Sequence, residues 1–128
     1  MTDTENVTIN LSVVDLGQID LLVEQGVYSS RSDLIRTAIR NQLSAHAEVI
    51  QQAVVRKDLA LGVLSYNRAG LEAKRAAGEK LEVHAVGVVH LAGDVTPELA
   101  RDTIQSLKVY GVLRASPALK DALADRIQ

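Results

Sequence analysis

The side chains best suited to metal chemistry in this chain of 128 residues are three histidines, His46, His84 and His90. His84 and His90 fall in one predicted strand, where a rise of ~3.3 Å per residue separates them by about 20 Å, too far to share one ion. The chain has no cysteine, which excludes disulfides and thiolate metal sites. A soft-metal site would need histidines from more than one subunit, so we predict no metal and no other cofactor.

The motifs of common enzyme classes are missing as well. The sequence has no Walker-type phosphate loop, no G-x-S-x-G and no H-E-x-x-H. Asp94 and Glu98 flank a predicted helix start, where carboxylates interact favourably with the helix dipole, so they need no catalytic explanation. We therefore predict that the protein is not an enzyme.

The composition is that of a folded protein in water. Apolar residues make up 47% and charged residues 23%, whereas aromatic residues make up only 2%, so the core is expected to consist of Val, Leu, Ile and Ala. Residues 1–6 are polar and acidic, unlike a secretory signal, and no run of eighteen apolar residues could span a membrane. We expect a soluble, cytoplasmic protein with no membrane partner.

The first predicted element is a short strand. Val7, Ile9 and Leu11 alternate with polar residues, the period of two that is typical of a strand with one buried face. The polar face of this strand carries Asn6, Thr8 and Asn10.

Two helices are predicted to follow the strand. Ser12 with Asp15, and Ser30 with Asp33, have the spacing of helix N-caps, and Gly26 can end the first helix in a left-handed conformation. The second helix is predicted to continue past residue 46, because no Gly or Pro interrupts it before residue 62.

One strand and two helices cannot close a core alone, since the strand has two unpaired edges and both helices have an apolar face to cover. Pairing with a second copy solves both problems by making a two-stranded antiparallel ribbon on four helices. The predicted dimer core comprises Val7, Ile9, Leu11, Ile19, Val23, Ile35 and Ile39.

The stretch VTINLSVVDLGQIDLLVEQGVYSSRSDLIRTAIRNQL combines these elements in order, and SSRSDLIRTAIR is its most characteristic part. Over residues 6–46 the chain resembles the ribbon-helix-helix DNA-binding proteins of Arc, MetJ and CopG type. In that family the paired ribbon enters the major groove of double-stranded DNA. The resemblance implies a sequence-specific transcriptional regulator, a repressor acting as a homodimer or higher oligomer and associated with the nucleoid.

The resemblance also assigns roles to particular residues. The base-reading positions would be Asn6, Thr8 and Asn10, since Asn can form two hydrogen bonds with adenine and the Thr methyl can contact thymine. The start of the second helix would bind phosphate through backbone N–H groups and the arginine, at the positions Ser30, Arg31 and Ser32. If the strand were merely a surface strand, its polar residues would instead only contact solvent.

The charge of this region suggests weak binding by a single dimer. Residues 1–46 contain three basic and six acidic side chains, although phosphate contacts supply much of the affinity for DNA. Two alternatives therefore stay open: an antitoxin of a toxin–antitoxin pair, and a scaffold protein that uses this fold only to dimerise.

The remaining sequence contains three similar units. Gly62, Gly87 and Gly111 each begin a Gly-Val-Leu or Gly-Val-Val triplet inside an apolar strand, and each strand is followed by a short amphipathic helix. The predicted helix starts are Asn67, Thr96-Pro97 and Ser116-Pro117. The strands are apolar almost throughout, which favours a parallel sheet covered on both faces.

The predicted fold is thus α+β, an intertwined ribbon-helix-helix dimer followed by a small α/β repeat domain with a parallel sheet. The predicted boundaries are residues 1–47 for the DNA-binding module, 48–58 for a connecting helix and 59–128 for the repeat domain. A short solenoid, faintly similar to leucine-rich repeats, and an ordinary small α/β domain both fit the last part. Because a sheet with open ends tends to pair with another copy, we expect residues 59–128 to drive assembly or to bind a protein partner or small effector.

Overall fold

A computed structural model describes residues 4–128 and divides them into two compact units, one ending at Gln52 and the other comprising Ala53–Gln128. Six helices and a parallel sheet of three strands confirm an α+β protein. No helix within residues 4–128 combines the length and the apolar character needed to cross a membrane.

The first unit contains the helices α1 (Val13–Glu24), α2 (Arg31–Ala45) and most of α3 (Ala47–Arg56). Ser12 caps α1 by accepting a hydrogen bond from the N–H of Asp15, and Gly26 follows the helix with a φ of 81°, as predicted. The prediction that the second helix continues unbroken past residue 46 was wrong, because α2 ends at Ala45 and α3 begins at Ala47. The ring Nδ1 of His46 lies 2.9 Å from the carbonyl oxygen of Gln42, so this side chain competes for an acceptor of the helix backbone.

The segment before α1 has no partner strand in the single chain. Residues 4–12 belong to no helix or strand, and the described residues of α1, α2 and α3 include no buried side chain. The predicted ribbon needs a second copy, so a single chain does not test it.

The second unit is built from three strand–helix pairs in chain order. They are β1 (Ala60–Tyr66) with α4 (Arg68–Ala76), β2 (Leu81–Leu91) with α5 (Pro97–Thr103), and β3 (Ile104–Arg114) with α6 (Pro117–Ala122). The strands are parallel and lie in the order β1-β2-β3, which confirms the predicted parallel sheet. The caps at Asn67, Thr96 and Ser116 are also confirmed.

Three glycines lie side by side across this sheet. Gly62 pairs with Gly87, and Gly87 pairs with Gly111, with φ angles of 129°, 133° and 129°. A Cβ at Gly87 would lie 2.1 Å from the carbonyl oxygen of Gly62, and a Cβ at Gly111 would lie 2.1 Å from that of Gly87. Glycine suits the positive φ at all three positions, and only glycine fits the close approach at Gly87 and Gly111.

The core of this unit lies between the sheet and its helices. Leu71, Leu99 and Leu119, one from each of α4, α5 and α6, are buried against strand residues such as Val89 and Leu107. The opposite face of the sheet is less well covered: Leu61 and Val63 of β1 are exposed, and Val86, Val88 and Val112 are half-buried. The apolar strands predicted a sheet buried on both faces. In one chain, α4, α5 and α6 bury only one of them.

Candidate nucleic-acid interface

The three predicted base-reading residues lie in the segment that precedes α1. Asn6, Thr8 and Asn10 are all exposed, which leaves their side chains accessible to a ligand. The apolar residues between them are exposed too, with Val7 at 81% and Ile9 at 63% of full accessibility. The polar and the apolar side chains of this segment are thus both accessible in the single chain.

The start of α2, predicted to bind phosphate, is a well-formed helix N-terminus. The hydroxyl of Ser30 accepts a hydrogen bond of 3.0 Å from the N–H of Asp33. The carboxylate of Asp33 in turn accepts hydrogen bonds from the N–H and the hydroxyl of Ser29, at 3.0 and 3.1 Å. These contacts vary the capping box, since Asp33 accepts from Ser29, one residue before the cap; they fix the first turn of α2 and leave Ser32 exposed.

The side chain of Arg31 is engaged within its own chain. Its Nε and Nη2 donate to the two carboxylate oxygens of Asp20 on α1, at 2.7 and 2.8 Å. This fork-to-fork contact joins the two helices and offsets one of the three positive charges of the region. A phosphate contact by this guanidinium has to compete with Asp20 or use its remaining N–H groups.

The ion pair also changes how both groups titrate. The hydrogen bond from Arg31 lowers the pKa of the Asp20 carboxyl from its ordinary value, and the same contact raises the pKa of Arg31. The stabilisation is therefore present above the ordinary pKa of an aspartate and disappears as the pH falls through the lowered value. Because both side chains are about half exposed, the effect on stability is small.

The predicted dimer core is largely uncovered in one chain. Ile19, Val23 and Ile35 are half-buried where α1 meets α2, whereas Leu11 and Ile39 are exposed. Further apolar side chains of these two helices are also exposed, namely Leu21, Leu22 and Leu43. Exposed apolar side chains in such number mark an interaction surface.

Sequence reasoning overlooked two polar contacts near these residues. It missed the Asp20–Arg31 pair and the part that Ser29 plays in the cap, although an acidic residue in the second half of α1 and an arginine at the start of α2 were a usable signal. It also missed a cluster in the second unit, where the ammonium groups of Lys57 and Lys108 lie 5.6 and 5.1 Å from the centroid of the Tyr110 ring.

The histidines have ordinary surroundings. His84 and His90 lie on β2, as predicted, and Nε2 of His84 is 3.2 Å from the hydroxyl of Ser106. Residues 4–128 contain no group of three or more His, Asp or Glu side chains that could hold a metal ion.

Comparison with known proteins adds one finding. The family model described as the ribbon-helix-helix transcriptional regulator family matches residues 2–120, nearly the whole chain and well beyond the N-terminal helices. No curated protein and no solved structure matches the sequence. The resemblance over residues 6–46 predicted the same family that the family model identifies. The chain belongs to the ribbon-helix-helix family of transcriptional regulators, whose members' common fold implies DNA binding and dimerisation.

Proposed function

We propose that the protein is a sequence-specific DNA-binding repressor that acts as a homodimer or a higher oligomer. Two copies of the segment Val7–Leu11 form an antiparallel ribbon that enters the major groove, where Asn6, Thr8 and Asn10 contact the base edges. The N-terminus of α2, at Ser30, Arg31 and Ser32, binds a backbone phosphate on each side.

One observation carries this proposal. No described side chain of α1, α2 or α3 is buried, although these helices and the segment before them are rich in Val, Leu and Ile. Burying such side chains is worth roughly 1.5–3 kcal/mol each, so a second copy that covers them supplies the missing core. The same pairing places two sets of Asn6, Thr8 and Asn10 side by side.

The test begins with selecting bound sequences from a random pool of double-stranded DNA. We expect a short palindromic or tandem motif, because a two-fold protein reads two half-sites. A pool that yields no enriched sequence contradicts the proposal.

The substitution Asn10→Ala then tests base reading at the selected site. Because both copies carry the substitution, each half-site loses one base contact, which should cost ~1–3 kcal/mol, or about five- to 150-fold in affinity, per half-site. Affinity for random DNA should stay unchanged, since the contact is with a base. Fluorescence anisotropy titrations measure both, with Asn41→Ala on the exposed surface of α2 as the matched control. If the ratio of the affinity for the selected site to the affinity for random DNA is unchanged, Asn10 does not read a base.

The charge of the N-terminal region favours a second candidate, a scaffold protein that has kept the fold only to dimerise. Residues 1–46 are acidic, and Arg31 already holds Asp20. Retention on random DNA at low salt separates the two candidates, because a DNA-binding protein is retained and then released as salt rises. The antitoxin alternative is weaker, since the second unit has a core of its own rather than a segment that folds on a toxin.

A further inference from the structure

The two edges of the parallel sheet differ. At the outer edge of β3, the N–H of Leu107 donates to the carbonyl oxygen of Arg126 and its carbonyl accepts from the N–H of Gln128, at 3.0 and 2.8 Å. At the outer edge of β1, no residue of the part that the structure describes forms a strand pair. Residues 60–66 include no proline and no charged side chain, the usual devices that stop an edge strand from pairing. The edge of β1 is therefore open.

Gly62 adds a second observation about this edge. At Gly87 and Gly111, the space that a Cβ would fill is taken by a carbonyl oxygen of the preceding strand, 2.1 Å from the Cβ position. Gly62 has the same backbone conformation, yet no described atom lies within 4 Å of its Cβ position. The edge of β1 thus presents the same backbone surface that β2 and β3 use for pairing, still uncovered.

The side chains that flank Gly62 favour pairing with an identical strand. Leu61 and Val63 are 68% and 58% exposed, and both project from the sheet face opposite the helices. A two-fold axis perpendicular to the sheet and midway between the two copies of Gly62 places Leu61 beside Val63 of the partner subunit and keeps both on the same face. Each apolar side chain then covers one from the other copy.

We propose that the β1 strands of two copies pair in antiparallel orientation about Gly62 and join two three-stranded sheets into one of six strands. The second copy is the occupant because the family is dimeric, which holds another β1 at high local concentration. The pairing closes after two copies, since each contributes the same β1 edge to an isologous contact. At the other edge of the sheet, Arg126–Gln128 already bond to β3 at Leu107. The proposal rests on the proposed function only for the presence of a second copy.

The size of the contact sets its strength. One pair of seven-residue strands is small beside the ~1,600 Å² of a standard stable interface, so it forms when the N-terminal helices already hold the copies together. The experiments therefore use the full chain.

Disulfide trapping tests the register directly, because the natural chain has no cysteine to interfere. In the variant L61C/V63C, each Cys at 61 lies opposite the partner's Cys at 63, within the ~4.5–5.5 Å Cα separation that a disulfide spans. Mild oxidation without DNA should convert most of the protein into covalent dimers on a non-reducing gel. V88C, on the same face but on the middle strand, is the control and should remain monomeric on that gel. Cross-linking of V88C alone indicates packing face to face and overturns the proposal, as does the absence of cross-links in both variants.

Hydrogen exchange tests the pairing in the natural sequence. Amides of residues 60–66 at the outer edge should exchange slowly, and about tenfold or more faster in L61K/V63K, where like charges lie opposite one another. Unchanged exchange in β3 verifies that the variant is folded. Equal exchange of residues 60–66 in both proteins overturns the proposal. Neither measurement involves DNA, so a failure to bind DNA and a failure of β1 pairing are separate results.

Discussion

At the scale of single residues, the partner of Arg31 has the most consequence for DNA affinity. Arg31 is one of three arginines in the N-terminal region, and both hydrogen-bonding arms of its fork hold Asp20. An internal carboxylate that holds an arginine competes with phosphate for the same donors. We therefore expect Asp20 to lower the affinity for random DNA and so to raise the relative importance of base contacts.

The substitution Asp20→Asn should release this arginine. We expect tighter binding to random DNA and a salt dependence that is steeper by about one phosphate contact per subunit. Anisotropy titrations at several salt concentrations measure the slope. Asp15→Asn makes the same change in net charge on α1 without releasing an arginine, so an equal slope change in both variants refutes the role of Asp20.

At the scale of elements, the aligned glycines of the three strands allow a close approach between neighbouring strands. The sequence reveals the period through Gly62, Gly87 and Gly111, but not its cause, which is a close backbone approach with a positive φ. Within one chain, Gly87 and Gly111 are required by contact as well as by conformation, whereas Gly62 is required by conformation alone.

Substituting alanine at two of these glycines separates the two requirements. Gly62→Ala and Gly87→Ala both force a side chain into a positive φ, at a cost of about 1–3 kcal/mol. Gly87→Ala also drives a Cβ into the carbonyl of Gly62, so it should destabilise the second unit by a further ~1–3 kcal/mol. Urea unfolding followed by circular dichroism measures both, and equal losses contradict the account.

Most elements could be predicted from local sequence signals, because caps and periodicity act over a few residues. The helix caps that the sequence indicated are all present, at Ser12, Ser30, Asn67, Thr96 and Ser116. The break at residue 46 could not be predicted, since it involves a histidine ring bonding to a carbonyl rather than a Gly or Pro. The ion pair between α1 and α2 depends on how two helices pack, which periodicity does not reveal. The candidate base-reading residues came from a family resemblance, and their role stays a prediction.

At the scale of the whole molecule, the two units differ in how they obtain a core. The second unit buries twelve apolar side chains, from Leu71 to Leu123, within one chain. The described part of the first unit buries none. The second unit is therefore expected to fold on its own contacts, and the first on contacts between copies.

Unfolding of the N-terminal helices should consequently depend on protein concentration. Raising the concentration 100-fold favours the paired state by about 2.7 kcal/mol, so the midpoint of their thermal transition should rise. Far-ultraviolet circular dichroism, recorded on dilute and concentrated samples, gives the midpoints, and sedimentation gives the mass. A midpoint that stays constant while the mass is that of one chain refutes dimerisation through these helices.

The uncovered apolar surface of α1 and α2 has a consequence for regulation. If DNA is bound by the homodimer proposed above, the amount of the DNA-binding form grows with the square of the number of chains when chains are scarce, rather than in proportion to it. Doubling synthesis of a dilute repressor of this kind would quadruple its occupancy of a vacant operator. The number of molecules per cell would thereby help to control transcription, and the genes that this protein regulates would switch between on and off over a narrow range of its expression.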